Sequence, residues 1–177
     1  MDRIGIFCSA CETIDSCYFD SARELGQWMG EQGKTLVYGG ANLGLMECVA
    51  QAVKSHGGRV IGVVPTKLEE RGRVSELPDV LFRTENLSER KEVIVRESEV
   101  LIALPGGVGT LDEVFHVMAA ATIGYHQKRV IFYNVNGFWN DLIGMLHQME
   151  RKGFIRKPLA ESYFVVTTLE EMAQMLY

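Results

Sequence analysis

The sequence has no excess of positive charge and no long apolar run. Its 177 residues include 18 Lys and Arg against 23 Asp and Glu, which gives a formal net charge of −5. Nucleic acids and acidic membranes are bound mainly through basic residues, so this balance argues against both kinds of partner. No apolar run approaches the length of a membrane-spanning helix and no signal peptide follows Met1, so we expect a cytoplasmic protein.

Cysteine is also scarce. The four thiols are Cys8, Cys11, Cys17 and Cys48, and in a cytosolic chain of this size they do not indicate a disulfide framework. Cys8-Ser-Ala-Cys11 has the spacing of a redox pair, but structural or incidental thiols are the favoured interpretation. No second CxxC motif or His pair completes a tetrahedral set, so we expect no metal site.

The pattern of predicted elements indicates one α/β domain over residues 1–177, since strands and helices alternate along the chain. We expect a single-domain, Rossmann-like fold with a doubly wound, mainly parallel sheet that binds ligands at the carboxyl ends of its strands. Strands are predicted at 3–8, 35–38, 59–64, 100–104, 130–133 and 164–166, with a short strand or extended segment at 80–83. Helices are predicted from a cap at Asp15 or Ser16 to Gly33, from the 39–44 turn to about His56, and over 87–98, 110–124, 138–152 and 169–177.

The stretch from Leu101 to Phe115 is the strongest local signal, because an apolar strand breaks into a glycine-dense turn and resumes with helical spacing. Gly106, Gly107 and Gly109 allow a sharp turn and a close approach to a ligand. Thr110 and Glu113 have the spacing of a capping box, which predicts a helix that begins at Thr110. The free N–H groups of its first turn are suited to a phosphate.

A second glycine-rich turn, 39–44, follows the predicted strand 35–38. It lacks both the Lys-Ser/Thr pair of a P-loop and the GxGxxG spacing of a dinucleotide site. Close approach of a ligand and a simple need for positive φ both explain it. Downstream, residues 66–78 are polar, charged and aperiodic, which predicts a mobile loop that serves as a substrate lid or only as a linker.

The stretch Pro105-Gly-Gly-Val-Gly-Thr-Leu-Asp-Glu113 resembles the PGGxGTxxE motif of the LONELY GUY family, the cytokinin riboside 5′-monophosphate phosphoribohydrolases. Glu89-Arg-Lys91 resembles the second signature of that family, and further likenesses run nearly end to end, among them Val37-Tyr-Gly-Gly40 and Gly62-Val-Val-Pro65. The resemblance implies a homodimeric hydrolase that cleaves adenine-type nucleoside 5′-monophosphates, including N6-modified ones, to free base and ribose 5-phosphate. It implies no cofactor, and nothing in the sequence identifies the pyridoxal-phosphate lysine of a lysine decarboxylase. A non-catalytic nucleotide- or phosphosugar-binding module of the same fold is the alternative.

The resemblance also assigns roles to residues. Arg90 and Glu113 match the catalytic pair, with Glu113 facing positive charge that develops on the ribose and Arg90 positioning and stabilising charge. From the residues alone, a capping role is the favoured interpretation of Glu113. Lys91 is as readily part of a solvated face as a ligand contact. The expected substrate- and phosphate-binding residues are Lys91, Gly106, Gly107, Val108, Gly109, Thr110, Gly39 and Gly40.

The chain departs from the family at three places. Phe7-Cys-Ser-Ala-Cys11 stands where FCGSS is usual, Leu87-Ser88 where Met-His is common, and Met118-Ala-Ala-Ala-Thr122 where a Thr-Trp pair and a Gln are usual. These changes surround the expected base and ribose, so they leave the base preference open. The helix near Met118 is too apolar all round for a surface helix, which predicts that a partner buries part of it. The resemblance implies that this partner is a second copy.

Overall fold

The computed structural model describes all 177 residues, and its elements alternate along the chain as predicted. Two short 3₁₀ turns, Val135–Gly137 and Leu159–Glu161, lie between a strand and a helix near the end of the chain. The strands are β1 Arg3–Phe7, β2 Thr35–Tyr38, β3 Arg59–Pro65, β4 Val80–Thr84, β5 Val100–Ala103, β6 Val130–Tyr133 and β7 Tyr163–Val166. The helices are α1 Ser16–Glu31, α2 Gly44–Ser55, α3 Thr66–Glu70, α4 Leu87–Glu97, α5 Val108–Thr122, α6 Asn140–Arg151 and α7 Leu169–Leu176.

All seven strands form one sheet in the order β4-β3-β2-β1-β5-β6-β7. Every neighbouring pair of strands is parallel. The chain therefore builds outward from β1 to β4, crosses back through α4, and builds outward again from β5. The strand order reverses between β1 and β5, and ligands of such sheets bind in the crevice at the carboxyl ends of the strands there.

Helices cover both faces of the sheet, each over its own apolar cluster. Residues of α1, α2 and α7 pack with Leu36 and Tyr38 on one face, while residues of α4, α5 and α6 pack with Val37 on the other. Neighbouring residues of β2 thus point to opposite faces, as the period of a strand requires. This arrangement confirms the predicted doubly wound α/β fold.

The start of α5 differs from the prediction. The helix begins at Val108, its N-cap is Gly107, and no side chain caps it, so the capping box expected at Thr110 and Glu113 is wrong. Thr110 is buried and packs beneath Gly106, where an added Cβ would lie 2.0 Å from the Thr110 Oγ1. Because two glycines precede the helix, its backbone can enter helical geometry earlier than the threonine.

The prediction of a mobile loop at 66–78 is also wrong in its local structure. Its first five residues form α3, and the rest is tied to the glycine turn that follows β2. The Ser75 N–H donates to the Gly40 carbonyl at 2.8 Å, and the Asn42 N–H donates to the Arg73 carbonyl at 3.1 Å. These long-range bonds form with the backbone of a distant turn, so the composition of the segment gives no sign of them.

Candidate active site

Three loops meet at the carboxyl edge of the sheet, where the strand order reverses. The Ser9 N–H, after β1, donates to the Pro105 carbonyl after β5 at 3.1 Å, and the Leu45 N–H donates to the Ser9 carbonyl at 3.0 Å. The loop after β1 is thereby fixed between the two glycine-rich turns. All the predicted site residues lie on these turns or on the first two turns of α4 and α5.

Arg90, in the first turn of α4, is held by backbone carbonyls from two strand ends. Its Nε donates to the Val63 carbonyl at 3.0 Å, and its Nη2 donates to the Gly39 carbonyl at 2.6 Å. A Cβ on Gly39 would lie 2.0 Å from that Nη2. Gly39 was predicted to make room for a ligand or a turn, and in the structure it makes room for the guanidinium group.

Glu113 faces the remaining side of that guanidinium. Its Oε1 lies 4.0 Å from Arg90 Nη1, and each side chain is only 14% exposed. Burial raises the pKa of Glu113 to about 7, although the charge of Arg90 opposes that rise. Burial likewise lowers the pKa of Arg90. The structure thus brings the two predicted catalytic side chains together in a poorly solvated place, where charge interactions are strong.

A third titratable group borders this pair. Cys8 is buried, and burial followed by the nearby Glu113 carboxylate raises the pKa of its thiol well above the usual range. A thiol held in this form is a poor nucleophile, which agrees with the interpretation of Cys8 as a structural residue.

Lys91 lies beside the pair but is already engaged. Its Nζ donates to both carboxylate oxygens of Asp112, each at 2.8 Å. Lys91 was predicted to contact the substrate or its phosphate, and its pairing with Asp112 was not predicted. The sequence does contain a signal for this pair. Lys91 directly follows Arg90 and Asp112 directly precedes Glu113, so two opposite charges flank the two residues that were expected to meet.

The turn before α5 leaves backbone donors free. The first hydrogen bond of the helix runs from the Leu111 N–H to the Gly107 carbonyl, so the N–H groups of Val108, Gly109 and Thr110 precede the helical ladder. A Cβ on Gly107 or Gly109 would meet nothing within 4 Å, and Val108 is 84% exposed. These residues form an open cradle at the positive end of a helix, which suits an anion.

The other predicted glycines serve packing. Gly106 accommodates the Thr110 side chain, and Gly40 has a φ of +71° with its would-be Cβ 2.4 Å from a Val64 methyl group. Gly40 therefore fits the simpler explanation that its turn needs positive φ.

A cavity of about 570 Å³ opens on the other side of Arg90. It lies at the ends of β3 and β4, between α3 and the start of α4. Its lining mixes apolar, polar and charged groups, and α3 with the residue after it contributes two cations that the sequence did not single out. The lining residues are Pro65, Lys67, Leu68, Arg71, Glu85, Asn86, Leu87, Ser88 and Arg90.

Comparison with known proteins identifies related sequences. Residues 46–176 match the family described as "Possible lysine decarboxylase". The chain is 35% identical over 98% of its length to cytokinin riboside 5′-monophosphate phosphoribohydrolase LOG5 of Arabidopsis thaliana, covering 76% of that protein. It is 36% identical over 98% of its length to the probable cytokinin riboside 5′-monophosphate phosphoribohydrolase LOGL2 of Oryza sativa, covering 71% of that protein.

Solved structures share the fold at lower identity. The molybdenum cofactor carrier protein of Chlamydomonas reinhardtii superposes with a TM-score of 0.76 at 23% identity, over 99% of this chain and 95% of that one. The molybdenum cofactor binding protein of Rippkaea orientalis gives a TM-score of 0.71 at 24% identity, over 99% of this chain and 94% of that one.

Proposed function

This chain belongs to the LONELY GUY family of cytokinin riboside 5′-monophosphate phosphoribohydrolases, and from that premise we propose that it hydrolyses the N-glycosidic bond of nucleoside 5′-monophosphates. The products are free base and ribose 5-phosphate, and no redox cofactor takes part. The observation that carries the proposal is the buried pair of Arg90 and Glu113, 4.0 Å apart, beside the open N-terminus of α5.

The order of groups along the sheet edge matches the order of groups in such a substrate. The cradle of Val108–Thr110 follows β5, Arg90 contacts the ends of β2 and β3, and the 570 Å³ cavity lies at the ends of β3 and β4. A 5′-phosphate on the cradle would therefore bring the ribose to the Arg90–Glu113 pair. The base would extend into the cavity.

The cavity supports an adenine-type base. Its volume of about 570 Å³ lies within the range of about 300–1,000 Å³ typical of small-molecule sites. The Leu68 and Leu87 side chains offer apolar contact to a flat ring. The Ser88 hydroxyl and the amide nitrogen of Asn86, whose side-chain oxygen caps α4, offer hydrogen bonds to its edge. We include N6-modified adenines in the proposed substrate class.

The chemistry assigned to the pair follows from charge. As the C1′–N bond breaks, its electron pair leaves with the base and the ribose becomes oxocarbenium-like. The ionised Glu113 stabilises that positive charge and orients the attacking water. The oxygen of that water bonds to C1′. The proton that the water loses ends on the leaving base. Arg90 keeps its proton near neutral pH, so it positions groups and stabilises charge and is not a general acid.

A non-catalytic nucleotide- or phosphosugar-binding module of the same fold is the competing function. Incubation with AMP and with its N6-isopentenyl derivative, followed by chromatography of the released base, separates them. Release of base supports the hydrolase. Binding of either nucleotide without release supports the module.

The Glu113→Gln variant tests the role of the carboxylate directly. It keeps the shape and hydrogen-bonding oxygen of the side chain but removes the charge, so turnover should fall about 100-fold or more. Affinity for ribose 5-phosphate should hold or improve, because a negative group near the phosphate is lost. Turnover close to wild type would remove Glu113 from the catalytic residues.

A further inference from the structure

We propose that Lys91 and Asp112 form a positioning pair that fixes α5 against α4, and so sets the spacing between Arg90 and Glu113. The inference rests on the proposed function, since it assigns a task to residues beside the proposed catalytic pair. It also gives Lys91 a role other than that of a phosphate ligand.

The two ion pairs are neighbours on the same two helices. Arg90 and Lys91 are consecutive in the first half of α4, and Asp112 and Glu113 are consecutive in α5. No other ion pair joins these helices. A displacement of α5 along α4 would therefore change both distances together.

The catalytic pair has no means of fixing its own spacing. Arg90 is anchored to the strand ends through Val63 and Gly39, whereas the Glu113 side chain makes no hydrogen bond and lies 4.0 Å from the nearest guanidinium nitrogen. Its position depends on where α5 lies. The apolar contacts beneath, among them Val93 and Val114 in one cluster, are non-directional.

Unlike the apolar contacts, the Lys91–Asp112 ion pair is directional. The ammonium group bonds both carboxylate oxygens at 2.8 Å, and the Lys91 side chain is only 14% exposed. An exposed ion pair adds little to stability. The Lys91–Asp112 pair is half-buried, bidentate and bridges two helices, so we assign it to fixing the position of the helices more than to stabilising the fold. Position matters, because a 1 Å misplacement of a catalytic group can lower a rate about 100-fold.

The pair also acts on Glu113 through charge. Among the groups facing the Glu113 carboxyl, Arg90 lowers its pKa, Asp112 raises it and Lys91 lowers it, while Cys8 stays a neutral thiol. Loss of Lys91 alone should move the Glu113 pKa up, and loss of Asp112 alone should move it down. A purely structural ion pair elsewhere in the chain would do neither.

The test compares Lys91→Met, Asp112→Asn and the double variant with wild type, and uses Lys54→Met as the control. Lys54 pairs with Asp79 on the opposite side of the sheet, so its loss breaks a surface ion pair without touching the site. We expect each single variant to lower kcat about 10-fold, with the double variant no worse than either, because both changes break one contact. Ribose 5-phosphate affinity should stay within about twofold of wild type. The control should leave kcat unchanged.

The pH dependence adds a second readout. The acid limb of the kcat profile should move to higher pH in Lys91→Met and to lower pH in Asp112→Asn. Unchanged kcat with unmoved limbs would show that the pair is only structural and would overturn the proposal. A large loss of ribose 5-phosphate affinity in Lys91→Met, with affinity kept in Asp112→Asn, would show Lys91 to be a phosphate ligand and would also overturn it.

Failure of the proposed function is recognised separately. If wild type releases no base from any nucleotide, the hydrolase assignment fails, and NMR titration of the Glu113 side-chain carboxyl still tests the pair. Opposite movement of that titration in the two single variants supports the pair. No movement in either overturns it.

Discussion

The Glu113 carboxyl shows the conflict between stability and reactivity at the scale of one residue. Its pKa rises from 4.5 to about 7 through burial, so its ionised form is disfavoured in the folded protein. The difference corresponds to about 3 kcal/mol when the group is ionised in both the folded and unfolded states. The form that is costly to the fold is the form that the proposed reaction needs.

We therefore expect Glu113→Gln to stabilise the protein relative to wild type in a pH-dependent way. Because the folded pKa is raised, the carboxyl is neutral in both states below about pH 4.5 and brings no cost. Between about pH 4.5 and 7 the unfolded state ionises first and wild type loses stability. The melting temperature of each protein should be measured at pH 5 and at pH 8. The melting temperature of the variant minus that of wild type should be several degrees larger at pH 8 than at pH 5.

The same difference between the two proteins at both pH values would show that Glu113 titrates normally. Asp20→Asn is a suitable control, because Asp20 carries a 63% exposed side chain on α1 in a surface ion pair. Its effect should be small at both pH values.

At the scale of an element, the first turn of α5 carries the main correction to the sequence-based prediction. Local pattern identified the strand, the turn and the helix, and most other element bounds agree with the prediction to within two residues. The predicted start of the helix was wrong because Thr110 and Glu113 fit a capping pattern and fit buried positions equally well. Only the tertiary packing of Thr110 beneath Gly106 decides between the two.

The Thr110→Val variant separates these two roles. A capping threonine would cost about 1 kcal/mol on removal, which is a fall of about 2–4 °C in melting temperature for a protein of this size. Since Gly107 is the N-cap and Thr110 is packed inside with no hydrogen bond to its hydroxyl, valine breaks no bond and should leave the melting temperature within about 2 °C of wild type. Ribose 5-phosphate affinity should fall if the hydroxyl contacts the phosphate.

Asp15→Ala provides the contrast, because the Asp15 carboxylate does cap α1 by accepting from the Cys17 N–H at 2.9 Å. That variant should show the full capping loss. An equal loss in Thr110→Val would restore Thr110 as a capping residue.

The contacts of the site that the sequence analysis missed are long-range, and those that hold Arg90 involve the backbone. Both catalytic candidates and the anion cradle were identified from the motif. The carbonyl groups of Val63 and Gly39 that hold Arg90, and the attachment of Ser75 to Gly40, were not. A carbonyl group has the same chemistry at every residue, so its use as an acceptor leaves no mark in the sequence.

At the scale of the whole molecule, an apolar surface remains uncovered at the C-terminal ends of α4 and α5. Ile123 is 74% exposed and Tyr125 is 81% exposed. With Val95, Ala119 and Ala120 they border a groove of about 770 Å³. None of the helices is long and apolar enough to cross a membrane. The homodimer predicted from the sequence would bury this surface against its copy.

We expect Ile123→Glu to weaken that dimer about 10-fold or more, because a charge would be buried in an apolar interface. Sedimentation velocity over a micromolar concentration series measures the change. Phe154→Glu is the matched control, since Phe154 is 78% exposed but follows α6, away from the groove. A wild-type protein that stays monomeric, or equal effects of the two variants, would contradict the prediction.

The strand order has a consequence for how the chain reaches its active form. β1 to β4 form one unit of the sheet and β5 to β7 the other, and α4, which packs against β1, β2, β3 and β4, connects them along the chain. Arg90 takes its place from strands of the first unit, while Glu113 arrives with the second. Long-range parallel pairing of this kind is slow to form. The two facing side chains therefore depend on the pairing of β5 with β1, which brings the two parts of the sheet together.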